Sequence, residues 1–159
     1  MPTKERQKLY LETSTVGAYY EVKPKFMRDH TRIFWHKYLQ DYQIFISEIT
    51  QKEIQNYQGS NKEKLLALIT GHTVLKVNNS IQQLTQYYID NGIINENYLD
   101  DAFHLAIVTV YRIEYLVSWN LKHLVKPEQQ VKIKDVNSKL KLHIPIICTP
   151  TYFLTSNEL

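Results

Sequence analysis

The sequence has little of what builds disulfide, zinc or repeat proteins: one cysteine, four glycines and five prolines in 159 residues. Because Cys148 is alone, an internal disulfide is excluded, and no Cys/His spacing predicts a structural zinc site. There is also no low-complexity tract, internal repeat or apolar run long enough to span a bilayer. The first eight residues are polar and lack the apolar core of a signal peptide. We therefore expect a cytoplasmic protein that has no membrane partner.

The composition is that of an ordinary folded protein. Hydrophobic residues make up 43% and charged residues 22% of the sequence, which does not indicate disorder. The length suits one domain, so we expect residues 1–159 to form a single folded unit. The formal net charge of +3 is compatible with a polyanionic partner but does not by itself predict one.

Short apolar runs alternate with longer segments of helical periodicity, which is typical of an α/β fold on a parallel sheet. The predicted strands are residues 8–11, 43–46, 74–77, 115–117 and 145–148, of which the first and third carry the weakest patterns. The predicted helices are residues 29–40, 48–56, 62–70, 80–91, 98–112 and 128–140. Residues 99–110 are apolar on nearly every face beyond the first turn, so this helix should be buried against the sheet.

Acidic side chains follow the predicted strands. Parallel sheets bind ligands beyond the carboxyl ends of their strands. Glu12 follows the first strand, Glu48 and Glu53 follow the second, Ser118–Asn120 follow the fourth, and the buried helix begins with Asp100 and Asp101. Carboxylates that converge at one sheet edge repel each other unless a cation neutralises them. Oxygen ligands without histidine or cysteine favour Mg²⁺ or Mn²⁺, which can activate a water for phosphodiester hydrolysis.

Most of these residues also have a structural interpretation. Glu12 could pair with a surface lysine, and Thr13–Thr15 could be turn or helix-capping residues. Asp100 lies three residues after Asn97, the spacing of a capping box, whereas capping does not explain Asp101. Asn120 could equally cap a short helix over residues 121–125 or provide a neutral oxygen ligand.

The other candidates favour structural roles. Glu48 and Glu53 lie on a polar helix face, where exposure to solvent is the ordinary outcome, and Glu48 also suits the helix dipole. His104 is better explained as a buried residue that supports the site than as a metal ligand, and His123 as a surface or packing residue. Cys148, in an apolar run, is expected to be buried and unreactive.

Five segments together resemble the PIN-domain family, with the VapC-like toxins of bacterial type II toxin–antitoxin systems as the nearest branch. They are YLETS (10–14), ISEITQKE (46–53), LDDAFHLA (99–106), YLVSWNLKH (115–123) and IICTP (146–150). The resemblance follows the expected order over nearly the whole chain. The segments at 99–106 and 115–123 are specific when they occur together, and the first two alone are weak.

The resemblance implies a three-layer α/β/α sandwich on a central parallel sheet, Mg²⁺- or Mn²⁺-dependent ribonuclease activity on RNA, frequent homodimerisation and neutralisation by an antitoxin. It implies that the acidic site residues, which would be catalytic and would bind the metal, are Glu12, Glu53 and Asp101. Asn120 falls at the often acidic fourth position. The family often carries Asp where this chain has Glu12, and Asn120 removes a charge that a second metal would need.

Two other functions remain open at this stage. A PIN-like module that binds RNA or protein without catalysis would be compatible with Glu12 and Asn120. A nucleotide-binding α/β enzyme is disfavoured, because no glycine-rich phosphate loop follows any predicted strand.

Overall fold

The computed structural model describes residues 4–159. Its sheet consists of five parallel strands in the order β3-β2-β1-β4-β5. The strands are β1 (Lys8–Leu11), β2 (Gln43–Ser47), β3 (Thr73–Leu75), β4 (Tyr115–Val117) and β5 (Ile146–Cys148). All five predicted strands are present, and β3 and β5 are shorter than predicted. In the register, Leu11 pairs with Val117 and Ser47 with Leu75, so the carboxyl ends of the strands lie side by side.

In the described range, 4–159, seven α-helices connect and cover the strands. They are α1 (Thr13–Ala18), α2 (Lys25–Ile33), α3 (Glu48–Gln55), α4 (Lys62–Ile69), α5 (Asn79–Asp90), α6 (Leu99–Val110) and α7 (Pro127–Lys139). The six predicted helices are found, most with ends within about two residues of prediction. α1 was not predicted as a helix. No helix in the part of the chain described here is long and apolar enough to cross a membrane.

The predicted helix over 29–40 differs most from the structure. α2 begins earlier, at Lys25, and is followed by a π-helix (Phe34–Tyr38) and a 3-10 turn (Leu39–Asp41). A π turn brings residues five apart towards the same face. Phe34 and Leu39 are both buried in the core, whereas α-helical spacing of about 100° per residue would turn their side chains about 140° apart.

Side chains of the strands alternate between two hydrophobic cores, one on each face of the sheet. Tyr10, Phe45, Leu116 and Ile147 contribute to the core under α5, α6 and α7. Leu9, Leu11, Ile46, Val117 and Cys148 contribute to the core under α1, α3 and α4. Helices on both faces give the predicted α/β/α sandwich. α6 is the central helix, with Ala102 and the whole segment from His104 to Thr109 buried, as its sequence indicates.

Polar side chains that would otherwise be unsatisfied stabilise the helix packing. Tyr88 on α5 donates its hydroxyl to Oδ1 of Asn137 on α7 at 2.7 Å. Asn137, which is fully buried, donates in turn to the carbonyl of His143 at 2.9 Å. Because buried polar groups are costly when unpaired, this network fixes how α7 lies against α5.

Candidate active site

Glu12 lies where β1 ends and α1 begins, and it caps that helix. Its carboxylate accepts hydrogen bonds from the Ser14 amide at 2.5 Å, the Ser14 hydroxyl at 2.8 Å and the Ser118 hydroxyl at 2.8 Å. The residue is only 4% exposed, so it is not a surface partner of a lysine. Its direct partners are all neutral. Glu12 is therefore a buried carboxylate that, within residues 4–159, has no hydrogen bond or ion pair with a basic side chain.

Ser14 joins the loops that follow β1 and β4. Its hydroxyl donates to Glu12 and accepts from the Trp119 amide at 2.9 Å. The Trp119 indole then donates to the Thr31 hydroxyl at 2.8 Å. This chain of bonds explains why Thr13–Thr15 form a helix: α1 is held at its start by Glu12 and by the neighbouring strand's loop.

Glu53 faces the same edge of the sheet from α3. That helix is capped by Ser47, the last residue of β2, whose hydroxyl accepts from the backbone amides of Ile49 and Thr50. Oε1 of Glu53 accepts from the Thr13 hydroxyl at 2.7 Å and from Nε2 of His104 at 2.6 Å. Glu53 is therefore turned towards α1 and α6 and is not a solvated residue of a polar helix face.

Asp101 and Asp100 are adjacent in sequence but have different environments. Asp101 accepts from Nδ1 of His123 at 3.0 Å, and the Tyr98 ring packs on His123 with centroids 3.7 Å apart. Asp100 accepts from the Lys52 ammonium at 2.9 Å. The predicted capping box with Asn97 was wrong: α6 begins at Leu99 and has no side-chain cap.

Asn120 serves as the cap of a turn. Its Oδ1 accepts from the His123 amide at 3.0 Å, and its carbonyl accepts from the amides of Leu124 and Val125. The predicted short helix over 121–125 is a turn in the structure. His123 is a packing residue, as predicted, and it also contacts Asp101.

One cavity of about 410 Å³ is lined by side chains from all four predicted site positions. The four positions lie at the end of β1, on α3, on α6 and in the loop after β4: Glu12, Glu53, Asp101 and Asn120. Tyr57 and Leu65 form part of the apolar wall. Within residues 4–159, no three carboxylate, imidazole or thiol groups are close enough to hold one ion in these positions. The donors are nevertheless hard oxygen atoms, the kind that Mg²⁺ and Mn²⁺ prefer. The residue types that line the cavity therefore fit such an ion in their chemistry.

The pKa values of Glu12 and Glu53 are shifted in opposite directions. Desolvation raises the pKa of Glu12 above its usual range, against the lowering effect of His104 and the serine donors. For Glu53, burial acts in the same direction, but the hydrogen bond and charge of His104 with the Thr13 bond hold its pKa below the usual range. Burial would lower the pKa of His104, and Tyr10, Glu53 and Glu12 together raise it well above its ordinary value. His104 and Glu53 therefore form a part-buried ion pair near Glu12.

Behind this pair lies a polar cluster that the sequence prediction missed. The Tyr10 hydroxyl is 2.6 Å from Nδ1 of His104, 2.7 Å from the Ser47 hydroxyl and 3.3 Å from the Thr50 hydroxyl. Tyr10, Ser47, Thr50 and His104 are fully buried. A tyrosine in the middle of an apolar strand needs a partner for its hydroxyl, and this was the signal that could have located the cluster.

These observations define an α/β protein with an acidic cavity at the carboxyl edge of a parallel sheet. Comparison with solved structures finds the same fold in the VapBC2 complex from Rickettsia felis bound to a DNA fragment from its promoter. The two chains superpose with a TM-score of 0.55 at 13% sequence identity, over 90% of this chain and 98% of the other. This likeness establishes the fold. No protein-family model and no curated protein sequence matches the chain.

Proposed function

We propose that this protein is a metal-dependent endoribonuclease that hydrolyses RNA phosphodiesters in the cytoplasm, and that it is the toxin of a toxin–antitoxin pair. The observation that carries the proposal is the convergence of Glu12, Glu53 and Asp101 with Asn120 on one cavity. These residues come from four segments that are far apart in the sequence. Ion pairing within the fold does not explain why Glu12 lies at this cavity, because its hydrogen-bond donors are the neutral groups of Ser14 and Ser118.

Glu12, Glu53 and Asp101 would hold a Mg²⁺ or Mn²⁺ ion, with the Asn120 amide oxygen as a further neutral donor. A divalent ion bound there would supply a water of lowered pKa and would balance the negative charge of the scissile phosphate. The chain's own contribution is to place the three carboxylates on one cavity, with neutral serine donors as the direct partners of Glu12. His104 pairs with Glu53, at 2.6 Å.

The arrangement of histidines favours attack by water over attack by the RNA's 2′-hydroxyl. The 2′-hydroxyl route needs an acid and a base that can exchange protons with the substrate. His104 is buried and both of its ring nitrogens are hydrogen-bonded. His123 is bonded to Asp101 and is not paired with another histidine. We therefore expect products with 5′-phosphate and 3′-hydroxyl ends.

The proposal of protein partners rests on an analogy with a protein of the same fold. The structural neighbour is part of the VapBC2 complex, bound to DNA from its promoter. By analogy, we propose that a cognate antitoxin binds and neutralises this protein, and that the protein forms a homodimer. The analogy with this neighbour is one of fold, so co-expression with the product of an adjoining short reading frame is the direct test.

The test of activity is cleavage of a structured RNA by the purified protein with Mg²⁺ or Mn²⁺, with EDTA, and after the metal is restored. Cleavage should require the metal, and end-group analysis should find 5′-phosphates. Glu53→Gln should reduce cleavage strongly. Glu48→Gln is the matched control, because Glu48 lies on the same helix but accepts from the Val77 amide, away from the cavity.

Cyclic phosphate ends, or full cleavage in EDTA, would refute the mechanism. Failure to cleave any RNA with metal present would favour the second candidate, a PIN-like module that binds RNA or protein without catalysis. Two observations keep that candidate in view: burial favours the neutral form of Glu12, and the Asn120 side-chain oxygen is already used as a cap.

A further inference from the structure

His104 is placed to act on the site without reaching the cavity. It lies on α6 one turn after Asp101, is fully buried, and is absent from the cavity lining. Its Nε2 is 2.6 Å from Oε1 of Glu53, and its Nδ1 is 2.6 Å from the Tyr10 hydroxyl. The ring therefore bridges the central strand β1 and the carboxylate on α3.

The direction of one hydrogen bond follows from chemistry alone. An ionised carboxylate can only accept, so Nε2 of His104 must carry the proton and donate to Glu53. The other nitrogen is held by Tyr10, whose hydroxyl is itself fixed by Ser47 at 2.7 Å and Thr50 at 3.3 Å. The ring thus has no freedom to flip or rotate without breaking bonds inside the core.

The consequence for Glu53 is geometric. The Thr13 hydroxyl and His104 both donate to Oε1, at 2.7 Å and 2.6 Å. Two donors on one oxygen fix the plane of the carboxylate and leave Oε2 without a protein hydrogen bond among the described residues. Groups that orient a metal ligand commonly contribute about 10- to 100-fold to metal affinity or activity.

We infer that His104 is a positioning residue, held by Tyr10, that fixes the Glu53 carboxylate so that its second oxygen is available to a divalent ion in the cavity. The inference rests on the proposed function. The inference adds to the proposed function a role for the Tyr10–His104 pair, which would touch neither the ion nor the RNA. It requires that the loss of His104 act through Glu53 alone.

The test is a double-mutant cycle on Mn²⁺ affinity, measured by titration calorimetry without RNA. The variants are His104→Leu, Glu53→Gln and the double mutant. We expect His104→Leu to weaken Mn²⁺ binding about 10- to 100-fold, and to cause no further loss when Glu53 is already Gln. His104→Gln, which keeps an N–H that can reach Glu53, should recover most of the affinity.

Two measurements separate positioning from general damage to the fold. Thermal unfolding of each variant reports stability, and His104→Gln and His104→Leu should differ in Mn²⁺ affinity more than in unfolding temperature. Tyr10→Phe should weaken binding less than His104→Leu, because the Nε2 bond to Glu53 remains. The control is His143→Leu: this imidazole binds the Ile113 carbonyl at 2.7 Å, outside the cavity, so Mn²⁺ affinity should not change.

The two possible failures are distinguishable. The role of His104 would be overturned if the losses of Mn²⁺ affinity in His104→Leu and Glu53→Gln added in the double mutant. It would also be overturned if His104→Gln bound Mn²⁺ no better than His104→Leu at equal stability. In either case the wild-type protein would still bind Mn²⁺ and cleave RNA, so the proposed function would stand. A wild-type protein that binds no Mn²⁺ would refute the proposed function, and the role of His104 with it.

Discussion

The adjacent acids Asp100 and Asp101 allow a closely matched comparison. Each Asp→Asn change removes one formal charge from the first turn of α6 and keeps the size of the side chain. Asp101 lines the cavity and accepts from His123, and its side chain is 17% exposed. Asp100 is paired with Lys52, and its side chain is 36% exposed. The two variants therefore differ mainly in whether the lost charge belongs to the cavity.

For Asp101→Asn, the structure predicts a small loss of stability and a large loss of activity. In Asp101→Asn, the amide oxygen can still accept from His123, so the loss of stability should stay at about 1 kcal/mol or less. Loss of a charged ligand should remove about 3 kcal/mol of stabilisation from the ion and the transition state, which is roughly 100-fold in rate. In Asp100→Asn, an exposed ion pair is lost, which costs about 0.2–1 kcal/mol of stability and should leave the rate unchanged.

The assay is the rate of RNA cleavage at saturating Mn²⁺, together with Mn²⁺ titration calorimetry and urea unfolding of both variants. We expect Asp101→Asn to lose Mn²⁺ affinity and cleavage rate at nearly unchanged stability. Asp100→Asn should keep the wild-type affinity and rate and lose only the small stability of its ion pair. Equal Mn²⁺ affinity in wild type and Asp101→Asn would remove Asp101 from the site. Equal losses in both variants would show that only the overall charge at the start of α6 matters.

Three further predictions concern parts of the fold outside the cavity. Burial raises the pKa of the Cys148 thiol to about 12, so the native protein should resist thiol reagents at neutral pH, and Cys148→Ala should keep full activity; rapid labelling would contradict this. Asn137→Ala removes the 2.7 Å acceptor of the Tyr88 hydroxyl and the donor to the His143 carbonyl, and should cost about 1–3 kcal/mol in urea unfolding, whereas no loss would mean that these bonds are dispensable. Hydrogen bonds from the Lys37 ammonium, the Tyr38 hydroxyl and the Thr155 amide, in decreasing order of effect, lower the pKa of Glu158 to about 2. Stability from these contacts should be present above pH 4.5 and be lost as the pH falls towards 2, and an NMR titration of Glu158 with an ordinary midpoint would refute it.

Local pattern was sufficient for most of the fold. Alternating apolar strands and amphipathic segments predicted five parallel strands, and the nearly all-apolar stretch after Asp101 predicted the buried helix α6. The same pattern placed Glu12, Glu53 and Asp101 after strands or at the start of a helix. Since parallel strands end at a common edge, their arrival at one cavity follows from topology. Their metal-binding and catalytic roles stay predictions.

Other features depended on contacts between distant segments, which no local pattern records. α1 contains a glycine and β-branched residues, and it is held at its start by Glu12 and by Ser14 bonded to the loop after β4. Asn120 was equally compatible with two roles in the sequence, and the capping role is visible only in its bond to the His123 amide.

The polar cluster around Tyr10 and His104 shows most clearly what sequence pattern cannot predict. Tyr10 and His104 are 94 positions apart, and each alone resembles an ordinary core residue. The sequence determined that both would be buried, because one lies in an apolar strand and the other in an apolar helix. Only the tertiary structure decided that the Tyr10 hydroxyl meets Nδ1 of His104 and that Nε2 of the same ring is bonded to Glu53. Burial follows from local hydrophobicity, whereas a hydrogen bond depends on the angle and distance between two packed elements.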